Sequence, residues 1–160
     1  MPESSAGAPG EPPRIVLDTN AVLDWLYFRD PRCAELADAI AAGRVRWIAS
    51  PAMRDEMAHV LARGSLSMRW PEGAESVRTG WQRWATMVDD TTGAATPPGM
   101  RCTAADDQKF IDLALAARAV ALLSADRAVL RLSRRARAWG LAITTVSAWR
   151  PSRSDSASSP

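Results

Sequence analysis

The stretch Arg14-Ile15-Val16-Leu17-Asp18-Thr19-Asn20 decides the reading of this chain. Three apolar residues in succession, with no alternation of polar and apolar positions, fit a strand covered on both faces, as in a parallel sheet packed between helices. The run ends in an aspartate followed by residues that open turns and helices. A carboxylate at the C-terminal end of such a strand stands where open α/β sheets place their ligands.

The same pattern recurs outward from this point. Val45–Ala49, Ala119–Ser124 and Leu141–Val146 are further short apolar runs, each followed by turn or helix-start residues. Between the runs, Ala21–Phe28, Pro31–Ala42, Pro51–Arg63, Pro71–Met87, Asp107–Arg118 and Arg127–Trp139 have helical character. Strand and helix in alternation predict a three-layer α/β/α domain with a central parallel sheet of four or five strands. Residues 1–13 and 151–160 are rich in Pro, Ser, Gly and Ala and lack periodic apolar positions, so flexible tails are expected on either side of a single domain spanning 14–150. A chain of 160 residues that is 47% hydrophobic can bury a core of its own.

Composition narrows the chemistry. Cys33, Cys102 and His59 are the only cysteines and histidine, too few for a disulfide framework or a nitrogen and sulfur metal site. Any metal must be held by carboxylates, which selects magnesium or manganese. No stretch approaches the ~18 apolar residues of a membrane span, and the N-terminus has neither a basic nor an apolar segment. A cytoplasmic protein without a membrane partner is the expectation.

A second apolar run, Val120-Ala121-Leu122-Leu123-Ser124-Ala125-Asp126, also leads into an aspartate. If its strand lies beside the first, Asp18 and Asp126 share one edge of the sheet, although either can also serve as the cap of the following helix. Glu56 follows from helical spacing. The stripe Met53, Met57, Val60 and Leu61 is apolar, and Glu56 lies on its border, whereas Asp55 points about 160° away from Met53. A carboxylate beside the core needs a partner. Further along, Asp106 and Asp107 precede a helix whose apolar face runs through Phe110, Ile111, Ala114 and Ala117. Periodicity does not choose between the two; it places Asp112 on the opposite, solvated side.

Gathered on one rim, Asp18, Glu56, one of Asp106 and Asp107, and Asp126 raise one another's pKa unless a cation compensates. Carboxylate-bound magnesium is a common catalyst for attack of water on a phosphodiester. Charge placement agrees. Residues 14–150 carry 19 basic and 15 acidic side chains, once Arg153, Glu3, Glu11 and Asp155 are set aside, and removing the four site acids leaves a surplus of eight positive charges. An acidic centre in a basic surround suits a nucleic-acid substrate.

The segments Ile15–Asn20, Ser50–Leu61, Cys102–Leu115 and Leu123–Leu130 (IVLDTN, SPAMRDEMAHVL, CTAADDQKFIDLAL, LSADRAVL) occur in the order and with the approximate spacing of the PIN-domain ribonucleases. The chain resembles in particular the PIN domains that act as toxins of toxin–antitoxin systems, over residues 14 to about 148. The resemblance implies a metal-dependent endoribonuclease with magnesium or manganese on strand-end acids, an RNA substrate, an antitoxin partner and a homodimer. Carried over by position, it implies Asp18, Glu56, Asp107 and Asp126 as catalytic and metal-binding residues, and it selects Asp107 over Asp106 by its distance from Phe110. Asn20, Ser124 and Asp106 would orient those acids. Ala104 departs from the resemblance, which leads one to expect a further aspartate there, and Gln108 replaces a frequent acidic or amide residue.

On this reading Asp18, Asp107 and Asp126 hold one or two cations, with Glu56 a further ligand or the acceptor that orients a water. His59 is expected at a solvated or core-edge position. Arg127, Arg131 and Arg134 share a helix face and form a candidate track for RNA phosphates, with Arg135 and Arg137 beside them and Val129, Leu132 and Trp139 as the apolar side. Seven tryptophans are many for this length, and Trp70, Trp81 and Trp84 are expected in the core or at a dimer surface. Two other functions compete: a non-catalytic PIN-like RNA- or protein-binding module, favoured by Ala104, and a receiver-like phosphoacceptor. The second lacks paired acids after the first strand and a lysine after a late one, since the sole lysine is Lys109.

Overall fold

The structure, a computed structural model, describes residues 10–63, 71–90 and 96–151. Residues 1–9, 152–160 and Trp70 lie outside the described residues, as do most positions of both expected tails. Five strands form one all-parallel sheet: β1 (Arg14–Leu17), β2 (Arg46–Ala49), β3 (Ala85–Met87), β4 (Ala121–Leu123) and β5 (Ala142–Thr144). The spatial order is β3-β2-β1-β4-β5. β1 and β4 are therefore neighbours, in the register Ile15 to Ala121, Val16 to Leu122 and Leu17 to Leu123.

Helices flank the sheet. They are α1 (Thr19–Val22), α2 (Ala34–Ala41), α3 (Pro51–Ala62), α4 (Pro71–Trp84), α5 (Gln108–Ala116), α6 (Arg127–Leu130) and α7 (Ser133–Ala136). Ile15, Val16, Leu122 and Leu123 are fully buried. This is the covering on both faces that the unbroken apolar runs require. Trp47 on β2 packs edge-on against Trp25 and Trp81, with ring centroids 5.5 and 4.9 Å away. Among the described residues no helix is long and apolar enough to cross a membrane.

The elements differ from the sequence reading chiefly in three places. The helix expected to run to Met87 stops at Trp84, and Ala85–Met87 forms β3, which pairs with β2 through Trp47 to Ala85 and Ala49 to Met87. No Gly or Pro marks that change, and β3 is a short, largely exposed edge strand, so helical periodicity runs on past it. The segment Arg127–Trp139 is not one helix: α6 closes at Leu130, α7 follows, and a 3₁₀ turn over Arg137–Trp139 ends at Gly140 with φ 77°. Arg127, Arg131 and Arg134 are all exposed, but they do not lie along one straight helix face. Trp139 is 52% exposed rather than part of the apolar side. Finally, α1 passes into a π-helical turn over Leu23–Tyr27.

That turn receives α4 at close range. A Cβ on Gly73 would lie 2.6 Å from two ring carbons of Tyr27, and one on Gly80 2.7 Å from a Leu26 methyl. Glycine is required at Gly73 because the buried Tyr27 ring has little room to yield.

Candidate metal centre and nuclease cleft

Strand order reverses at β1 and β4: β2 and β3 lie on one side and β5 on the other. Such a switch point leaves a crevice beyond the carboxyl ends of the two central strands. Asp18 follows β1 there, and its amide extends the β1–β4 pairing by donating to the Leu123 carbonyl at 3.1 Å. Asp126 follows β4 by three residues. A cleft of about 770 Å³ opens at this edge, lined by Asp18, Glu56, Asp106, Asp107, Lys109 and Asp126 among others.

Local structure fixes each acid. Asp18 caps α1, its Oδ1 accepting from the Ala21 amide at 2.8 Å, and Asp126 caps α6 by accepting from the Ala128 amide at 2.8 Å. Capping and facing the cleft are therefore not alternatives for these two residues. Asp107 precedes α5 without a side-chain capping bond. Ser124, 1% exposed, ties the strand-end acids together: its Oγ donates to Asp18 Oδ2 at 2.5 Å and accepts from the Asp126 amide at 3.0 Å.

The acids perturb one another. Burial pushes the Asp18 carboxyl up to about 6 from 3.8, and Asp126 adds to the rise while the Ser124 hydroxyl and Ala21 amide act against it. Asp107 is likewise pushed up to about 6, by burial first and then by the Asp126 carboxylate, with which it shares a hydrogen bond; Asp18 adds to the rise. Three aspartates from three separate segments thus sense one another's charge at the sheet edge.

Glu56 faces the same cleft from α3 but is turned to other partners. Thr19 Oγ donates to its Oε2 at 2.5 Å, and the Lys109 ammonium is paired with its Oε1. Asp106 is exposed, and its backbone carbonyl accepts from Lys109 at 2.5 Å. Asn20 and His59 are exposed along the cleft, and no hydrogen bond links Asn20 to one of the acids among the described residues. Thr19, which the sequence reading passed over, makes that kind of contact instead. Its signal was available: a hydroxyl directly after the strand-end aspartate. Lys109, the sole lysine, carries no local sequence signal that places it against Glu56.

Gln108 has a structural part. Its side-chain oxygen accepts from the Cys102 amide at 2.5 Å, and its Nε2 donates to the Met100 carbonyl at 3.1 Å and to Asp112 at 3.0 Å. It pins the segment before α5, and Asp112, expected to be solvated, is half-buried with Thr96 as a second donor.

Among the described residues no three His, Cys, Asp or Glu side chains form a ready-made metal cage as they stand. The donor chemistry of Asp18, Asp107 and Asp126 fits a hard divalent cation: all donors are carboxylate oxygens, and their mutual repulsion is what such a charge relieves.

No curated protein sequence matches the chain. In fold it is similar to a chain in the crystal structure of VapBC2 from Rickettsia felis bound to a DNA fragment from their promoter, with a TM-score of 0.53 and 12% identity over 81% of this chain and 96% of that one. The profile of a known domain matches residues 14–128, more than two thirds of the length and all of the segments that carry the acids. By that match, the chain belongs to the PIN domain family.

Proposed function

We propose that the chain is a metal-dependent endoribonuclease, folded over residues 14–150, and the toxin of a toxin–antitoxin pair. The observation that supports this most is the meeting of Asp18, Asp107 and Asp126 at the switch point of the sheet. PIN domains are in general nucleases and typically use divalent metals. The likeness to VapBC2 supports an antitoxin protein as partner, and a homodimer is proposed with it.

Asp18, Asp107 and Asp126 would hold magnesium or manganese. When bound, a divalent cation supplies Lewis acidity that activates water and offsets phosphate charge. The chain's own residues do the rest. Ser124 fixes Asp18 and the start of α6 in one arrangement, so that the carboxylates are positioned before substrate arrives. Thr19 holds Glu56 across the cleft. Exposed Arg127 on α6, Arg131 just beyond it and Arg134 on α7 offer charge to RNA phosphates flanking the cut.

Labelled single-stranded RNA incubated with the full chain and manganese, beside Asp18→Asn, tests this. Cleavage by the wild type alone is expected. Equal cleavage by both proteins, or none with any divalent metal, refutes the nuclease and leaves the binding-module reading.

A further inference from the structure

Of the 20 basic residues, Lys109 is the only one that is not arginine, and it stands inside the acidic cleft. Its ammonium is paired with Glu56 Oε1, donates to the Asp106 carbonyl at 2.5 Å and lies 4.9 Å from the Phe110 ring centroid. The other Glu56 oxygen accepts from Thr19. Both oxygens of this carboxylate are therefore engaged, and a metal ion reaching Glu56 would meet the repulsion of the ammonium. The two side chains are only 27% and 30% exposed, so solvent screens the pair incompletely.

We propose that Lys109 supplies, as a fixed ammonium, the charge a second cation brings to two-metal nucleases. The chain then binds one divalent cation, on Asp18, Asp107 and Asp126, and Glu56 serves as the counter-ion of Lys109 outside that ligand set. This rests on the metal-dependent reading above. The charge of Lys109 also reaches Asp107, where it acts against the rise that burial and Asp126 cause, and such a place in the cleft requires a compact ammonium rather than a planar guanidinium fork. That requirement accounts for a lysine at this one position in a chain that otherwise uses arginine. An ammonium has three donors, two of which go to Glu56 and the Asp106 carbonyl. The third is left for a phosphate oxygen of the substrate.

The test counts bound manganese on the full chain without RNA, by calorimetric titration and by the electron paramagnetic resonance signal of free Mn²⁺. The wild type is expected to bind one ion per chain, lost in Asp107→Asn. Lys109→Met is expected to bind a second ion, which disappears again in the double variant with Glu56→Gln. Glu56→Gln alone is expected to keep one ion per chain, whereas Asp107→Asn does not; loss of that ion in Glu56→Gln overturns the proposal. So does a single ion in Lys109→Met. Two ions in the wild type overturn it while leaving the metal-dependent reading intact, and no binding by the wild type overturns both. Glu56→Gln keeps the test decisive should Lys109→Met not fold.

Discussion

Asp18→Asn should make the metal-free protein more stable at neutral pH, although it removes a proposed catalytic group. Asp18 is 3% exposed, and burial raises its pKa from 3.8 to about 6. At ~1.4 kcal/mol per pH unit, holding the ionised carboxylate in the fold costs about 3 kcal/mol. The sign follows from proton binding. Between pH 4 and 6 the folded state holds more protons than the unfolded state, so the stability associated with this group is complete below about pH 4, falls as pH rises, and is lost above about pH 6. Asparagine has no such titration. Its side-chain oxygen can still accept from the Ala21 amide, and its amide can donate to Ser124 Oγ, which has a lone pair free beside the one used by the Asp126 amide.

The assay is thermal unfolding of both proteins in EDTA from pH 4 to 8. The expected result is little difference at pH 4 and an advantage for Asp18→Asn growing to about 1–3 kcal/mol by pH 7, a shift of several degrees for a domain of this size. Part of the gain reaches the fold through Asp107, whose carboxyl Asp18 also pushes up. Saturating magnesium is then expected to raise the melting temperature of the wild type and leave the variant where it was. A difference independent of pH, or a variant less stable than wild type at pH 8 in EDTA, refutes the electrostatic argument.

Ser124→Ala removes the hydroxyl that serves both Asp18 and the Asp126 amide inside the protein; a loss of about 1–3 kcal/mol is expected in urea unfolding, together with slower RNA cleavage. Gly73→Ala drives a Cβ into the buried Tyr27 ring, and calorimetry should show about 1–3 kcal/mol of destabilisation; a neutral result means that α4 and the π-helical turn are not tightly packed. Replacing Arg127, Arg131 and Arg134 by Gln should weaken RNA binding and flatten the slope of log affinity against log salt by about 2, at ~0.7 for each phosphate contact to a single strand. An unchanged slope places the RNA elsewhere.

The placement of the cleft's acids was legible because strand ends are legible. An unbroken apolar run that stops at an aspartate carries its own position in the fold, and both such runs, before Asp18 and Asp126, became the adjacent central strands β1 and β4. Elements whose identity depends on partners were not legible. Ala85–Met87 is a strand only because β2 offers it an edge. The segment after Asp126 keeps helical spacing although its backbone breaks twice, so the spacing predicts a shared face for the arginines that the backbone does not keep. Thr19 and Lys109 were missed as contacts of Glu56 for the same reason: separations of 37 residues from Thr19 and 53 from Lys109 are closed by topology, not by any local pattern.

Capping a helix and facing a cleft are usually weighed against each other when an aspartate starts a helix, and here Asp18 and Asp126 do both. Asp18 and Asp126 are each held by a backbone amide, and one serine hydroxyl fixes the distance between their segments. What makes them good caps, a rigid carboxylate at a strand-to-helix turn, is what a metal site needs from two of its ligands. Asp107 stands at the N-cap of α5 without a side-chain capping bond, and it shares a hydrogen bond with Asp126 and bears the charge of both neighbours. The adaptable member of the set is therefore the one the local sequence left undecided between two adjacent aspartates. Lys109, two residues on, has Glu56 as its partner across the cleft, so α5 brings both a third acid and a fixed positive charge to the same edge. A chain of net charge +2 thereby gathers six of its 18 acids along one cleft while Arg127, directly after Asp126, is exposed, a division of charge suited to a polyanion.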